Sequence, residues 1–154
     1  MGEQPFSTAV YYRDPRSASA WLERAFGFQV TMLVEGPDQD PRTMHVELAL
    51  GGRGTLMVGG EWSGTARSPA SVGGANTQSV HVTLPSGLDA HCEHARAAGA
   101  TIAAEPEDQF HGDRTYRAVD PEGHVWTFSM HVRDVSTREM EQATGFRIQS
   151  STGN

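Results

Sequence analysis

Imidazoles, a carboxylate and hydroxyl-tipped side chains recur in this chain where one surface could gather them. His81 is the best candidate for a general base, because a free imidazole titrates at about pH 6.5; a histidine that hydrogen-bonds without chemistry is the alternative. His45 and Glu47 stand two apart in an alternating stretch and so share one face of a strand. With His81 they could form an irregular metal site, or they could be the polar groups of a wet cavity. Tyr11, Tyr116 and Thr127 add two aromatic rings and a hydroxyl. Rings with polar tips suit a planar, heteroatom-rich small molecule, though the same side chains could fill a collapsed core. Trp62 could close such a pocket by stacking, or pack beneath a loop.

Other reactive types read as structural. Cys92 lies on the apolar stripe of a helix and is a buried small residue. His91 and His94, beside Glu93 and Arg96, mark an exposed helix face. Arg114 next to Asp113 reads as an ion pair that pins a loop, the alternative being contact with an anionic ligand. No nucleophile elbow, Walker loop, dinucleotide fingerprint or C-x-x-C is present.

The elements that must position these groups come twice. A strand at residues 9–12 leads to a helix with Asp14 as N-cap and Pro15 at the first helical position. Trp21, Leu22, Ala25 and Phe26 give that helix one apolar face, and Gly27 suits its left-handed end. Strands follow at residues 29–35, 43–50 and 53–59. The order repeats with a strand at 79–82, a helix capped by Ser86, striped by Leu88, Cys92 and Ala95 and stopped at Gly99, and strands at 101–104, 114–119 and 123–131. Module one thus spans 6–60, a Gly/Ser-rich linker 61–77 and module two 78–132. Residues 133–154 read as a polar helix, with a Ser136/Glu139 capping box, and a disordered tail after Phe146. The whole chain, 1–154, is expected to be a single α+β domain of two βαβββ modules, with mixed sheets around a cavity and helices on the outer faces.

Strand parity assigns the faces. Met44, Val46, Leu48 and Leu50 belong against the helix, which sends His45 and Glu47 to the concave side. Val10, Val80, Val82, Trp126 and Phe128 are the apolar alternates that send Tyr11, His81, Tyr116 and Thr127 there too. Trp62 is expected at the mouth.

Composition narrows the partners. Net charge is −7 with no basic cluster, which argues against nucleic acid. No apolar run reaches the roughly 18–20 residues that span a membrane, and the first residues carry no export signal. One cysteine closes no disulfide within the chain, and a cytoplasmic setting is expected. A one-sided sheet in each module points to a homodimer.

His111-Gly112-Asp113-Arg114 followed by Asp120-Pro121-Glu122-Gly123-His124-Val125-Trp126, after the helix end Ala98-Gly99, resembles the glyoxalase/bleomycin-resistance/dioxygenase (vicinal oxygen chelate) superfamily, closest to its PhnB-like branch. The resemblance covers about residues 6–132, and module two carries nearly all of its specificity. The superfamily includes metal-dependent isomerases, thiol transferases and dioxygenases as well as metal-free antibiotic-sequestering proteins, so fold alone does not give function. Its metal-using members place ligands on the first and fourth strands of each module. In this chain the resemblance maps those positions to Tyr11, Val58, His81 and Thr127, which retain one usual ligand type. The expectation is a metal-free, cofactor-free small-molecule-binding protein for an aromatic or antibiotic-like ligand. The rival is a metal-dependent lyase, isomerase or dioxygenase using His81 with untypical partners.

Overall fold

A computed structural model describes residues 5–151. The first module holds β1 (Thr8–Tyr12), α1 (Pro15–Phe26), β2 (Gln29–Val34), β3 (His45–Leu50) and β4 (Arg53–Gly60). The second holds β5 (Val80–Thr83), α2 (Leu88–Ala97), β6 (Thr101–Asp108), β7 (Asp113–Val119) and β8 (Val125–His131), and α3 (Thr137–Thr144) follows. The strands form two four-stranded sheets, ordered β1-β4-β3-β2 and β5-β8-β7-β6. In each sheet the first strand pairs parallel with the fourth and the other pairs are antiparallel, so the two βαβββ modules repeat in topology as well as in sequence.

Local signals explain most element ends. Asp14 accepts from the Ser17 amide at 3.0 Å and the Ser17 hydroxyl at 2.7 Å, Pro15 opens α1, and Gly27 closes it at φ 80°. The capping box at α3 forms in both directions between Ser136 and Glu139. The cap expected at Ser86 does not form: Gly87, at φ 73°, holds the cap position of α2 and no side chain caps the helix. In the tail, the Ile148 amide donates to the Glu141 carboxylate, and the final three residues lie outside those described.

The helix-bearing sides of the two sheets meet. Phe26, at the end of α1, has its ring 4.8 Å from Phe128 and 5.4 Å from Trp126 of the other module. The Trp21 indole N–H donates to the Ala98 carbonyl at 2.8 Å, and His94 Nε2 donates to the Arg24 carbonyl at 2.7 Å. His91 sits half-buried between the modules, its Nε2 donating to the Phe26 carbonyl at 2.9 Å. The exposed reading of these two histidines therefore fails for His91. Both satisfy carbonyls that the end of α1 leaves without intrahelical partners. Val10, Val46, Val58, Leu22, Leu88, Trp126 and Phe128 join one core that runs through both modules. Each such side chain stabilises by roughly 1.5–3 kcal/mol on burial. Because the modules meet helix side to helix side, the opposite face of each sheet is left open, with Met32 and Val34 about half exposed on sheet one and His81 and Arg117 exposed on sheet two. No helix of the described residues is long and apolar enough to cross a membrane.

Candidate binding site

The open face of sheet one holds a cavity of about 230 Å³. Its walls are Ala9 and Tyr11 of β1, Met57 and Gly59 of β4, His45 of β3, the segment Arg42-Thr43-Met44 and Trp62. Register explains the convergence: Tyr11 lies beside Gly59, and Gly59 beside His45, so the three share a face and a row. A β-carbon at Gly59 would come within 3.3 Å of the Tyr11 ring, so the missing side chain is what gives that ring its place. A β-carbon at Gly60 would collide with the Pro41 carbonyl, and the Gly60 amide donates to the Met44 carbonyl at 3.2 Å. The glycine pair thus lets the loop after β2 close over one end of the sheet.

The polar groups in and beside the cavity are few. His45 Nε2 donates to Glu47 Oε1 at 3.2 Å, with both side chains about a third exposed. This leaves Nδ1 of a neutral ring as an acceptor. Glu47 is therefore partnered and wet, and carries no unpaired buried charge. Arg42 is bound to Asp40 through Nε and Nη2, with a shortest contact of 2.6 Å. Trp62 is 66 % exposed at the rim, where its indole face is free to stack.

The structure brings together Tyr11, His45 and Trp62, with Glu47 attached through His45. His81 and Thr127 lie side by side on the open face of sheet two, with Arg117 next in the row. Tyr116 is a correction. It pairs with Phe128, not with Thr127, and so points to the helix side, where its ring stacks on Phe128 at 5.0 Å. Its hydroxyl donates to His91 Nδ1 at 2.6 Å, and burial holds the phenol well above its ordinary pKa. The alternation of Tyr116 and Ala118 against Thr115 and Arg117 carries this signal. Arg114 does form pinning ion pairs, but with Asp89 and Asp108 at 2.8 and 2.9 Å; Asp113 is instead hydrogen-bonded by His131.

The donor set fits a metal ion poorly. Tyr11 faces Gly59 as His81 faces Thr127, so the module-one counterpart of Thr127 is Gly59, and Val58 lies buried on the helix side. A glycine supplies no side-chain donor, and of the remaining three positions Tyr11 stands in sheet one while His81 and Thr127 stand in sheet two and line no part of the module-one cavity. Among the described residues the one grouping of three potential ligands is Cys92, Glu93 and Glu105. There Arg96 already binds both carboxylates, and burial pushes the Cys92 thiol pKa up, away from the thiolate a metal needs.

Residues 5–128 match the model of the Glyoxalase/Bleomycin resistance protein/Dioxygenase superfamily. An uncharacterised protein of Mycobacterium bovis is 32% identical over 145 residues, covering 92% of each chain. Among solved structures, TioX from Micromonospora sp. ML1 superposes with a TM-score of 0.65 at 31% identity, over 84% of this chain and all of that one. TnmS3, an antibiotic binding protein from Streptomyces sp. CB03234, gives 0.61 at 18% identity over 84% of this chain and 99% of its own. At that identity the likeness shows the fold alone.

Proposed function

The chain belongs to the glyoxalase/bleomycin resistance protein/dioxygenase superfamily, and from that premise we propose that it is a metal-free protein that binds a small aromatic molecule on the open face of sheet one. The observation that carries this reading is the Tyr11–Gly59 pairing, where an aromatic ring borders an apolar cavity at a position that a metal-using relative would give to ligands. Tyr11 and Trp62 supply flat contact surface, and His45, backed by Glu47, supplies a directed hydrogen bond. Such a site suits a planar ligand with an exposed heteroatom, such as an aromatic antibiotic. The neighbour described as antibiotic-binding is consistent with that class, but the class rests on the cavity.

At about 230 Å³ the cavity is smaller than the roughly 300–1,000 Å³ typical of sites that enclose a drug-sized ligand. The protein is therefore taken to act as a homodimer, a second copy covering part of the open faces; light scattering giving 16.7 kDa at tens of micromolar would refute a stable dimer. Placement in the PhnB-like branch and a cytoplasmic setting belong to the same proposal. His81 and Thr127 act, on this reading, as ligand contacts only where a second copy or a large ligand reaches sheet two.

The test is fluorescence titration with a panel of planar heteroaromatic compounds, read from Trp62 against a Trp62→Phe background. Elemental analysis of protein purified without chelator accompanies it. Saturable quenching that survives chelator supports the proposal. A stoichiometric transition metal, lost on His81→Ala, would replace it with the metal-dependent enzyme.

A further inference from the structure

The motif that carries most of the family resemblance touches no part of the cavity directly, yet it grips the strand that forms one wall. β1 is an edge strand, paired with β4 on one side only. On its other side the Tyr11 carbonyl accepts from His124 Nε2 at 2.7 Å, and the Ala9 carbonyl accepts from Gln78 Nε2 at 2.5 Å. One residue further, the Tyr12 hydroxyl donates to Asp120 Oδ2 at 2.6 Å. The Arg13 and Asp14 amides donate to Glu122 at 2.8 and 3.2 Å. Side chains at the module-two boundary thus take up the polar groups of β1 and its extension, groups that an edge strand otherwise leaves to water.

The turn that does this is itself held. Asp120, 5 % exposed, accepts from Tyr12 and from the Trp126 indole at 3.0 Å on one oxygen, and from the Glu122 and His124 amides at 3.0 Å on the other. Its four acceptor positions are filled, so it has nothing left to offer a ligand. His124 is also buried, and its ring lies 4.6 Å from that of Tyr12.

We propose that His124 is a positioning residue for the module-one cavity: by donating to the Tyr11 carbonyl, and anchored through Asp120, it sets where β1 lies and hence how the Tyr11 ring sits over Gly59. The cavity wall in module one is thereby fixed from module two. This rests on the reading of that cavity as a binding site, but its test does not need a ligand.

Two variants of the full chain separate positioning from bulk stability. His124→Gln keeps an amide N–H close to where Nε2 stands, and His124→Leu removes the donor. The readouts are the methyl resonance of Met57, which lies beside Ala9 in the register, the ring resonances of Tyr11, and amide exchange along β1. With His124→Leu these resonances are expected to move and β1 amides to exchange at least about tenfold faster than in the parent, while Met32 and Met140 stay in place. With His124→Gln all should return to near the parent values. The proposal is overturned if His124→Leu leaves Met57, Tyr11 and β1 exchange unchanged, or if His124→Gln behaves as His124→Leu. A ligand panel that finds no binder, alongside the expected shifts, would sink the binding reading and leave the positioning intact.

Discussion

Tyr11, Gly59 and His45 occupy in sheet one the row that His81, Thr127 and Arg117 occupy in sheet two. Backbone and register are shared; the side chains are not. In sheet one the central residue has no side chain, an aromatic ring lies beside it, and a cavity opens. In sheet two the central residue is β-branched and only 9 % exposed, flanked by an imidazole and a guanidinium. A duplicated scaffold has thus been given two different surfaces, one with a largely apolar cavity, one lined by polar side chains. The difference comes down largely to side-chain volume at one position of β4 against its equivalent in β8.

The connecting turns differ in the same way. The turn before β4 runs through Gly51 and Gly52, and Gly54 follows just inside the strand, all three at positive φ with open space where side chains would be. The turn before β8 is built on Asp120 and grips the other module. Asp120→Asn should therefore give the largest effect. An amide would turn its NH2 toward one pair of the four donors and strand them, costing on the order of 3 kcal/mol, to be read by urea denaturation.

His91→Leu comes next. It leaves the Tyr116 hydroxyl and the Phe26 carbonyl without partners, an expected loss of about 2 kcal/mol. Burial lowers the His91 pKa in the folded protein. Its contribution to stability is therefore full above the unfolded value of about 6.5 and is lost as pH falls through the lower folded value. His131, raised by Asp113 and Asp134, acts in the opposite sense, so the informative quantity is the difference between parent and variant. The parent should lose more stability than His91→Leu between about pH 7 and pH 5; equal losses would remove His91 from the account.

Gly59→Thr turns the sheet-one row into the sheet-two row. The new β-carbon meets the Tyr11 ring at 3.3 Å, so the ring must shift by a few tenths of an ångström and the cavity fills. Stability should change by about 1 kcal/mol or less, while binding falls at least about tenfold, a difference of about 1.4 kcal/mol. A Gly59→Thr protein that binds as the parent does would break the comparison. The smallest effect is expected from His45→Gln, which loses a partly exposed pair: under about 0.5 kcal/mol in stability and a few-fold in affinity.

Much of this was legible in the sequence. The repeat, the caps at Asp14 and Ser136, and the faces of β1, β3, β5 and β8 follow from periodicity and local hydrogen-bonding chemistry. The side of Tyr116 was legible too, from Ala118 two residues on, but aromatic character with a polar tip suggests a ligand contact as readily as a buried hydrogen bond. What parity cannot supply is how the modules meet. That depends on Phe26 reaching Phe128 and Trp126, and on His91 and His94 meeting carbonyls more than sixty residues away. The place of Gly59 was missed for a related reason: a glycine shows its function only once the ring beside it is known.

The most direct test of a metal-free aromatic site at Tyr11 and Gly59 is one binding isotherm, for the tightest compound of the panel, measured on parent and Gly59→Thr protein with and without chelator. A metal-free site there keeps its parent affinity in chelator and loses at least about tenfold in the variant. Binding that vanishes with chelator and returns with a divalent metal, or that is the same in parent and variant, would contradict it.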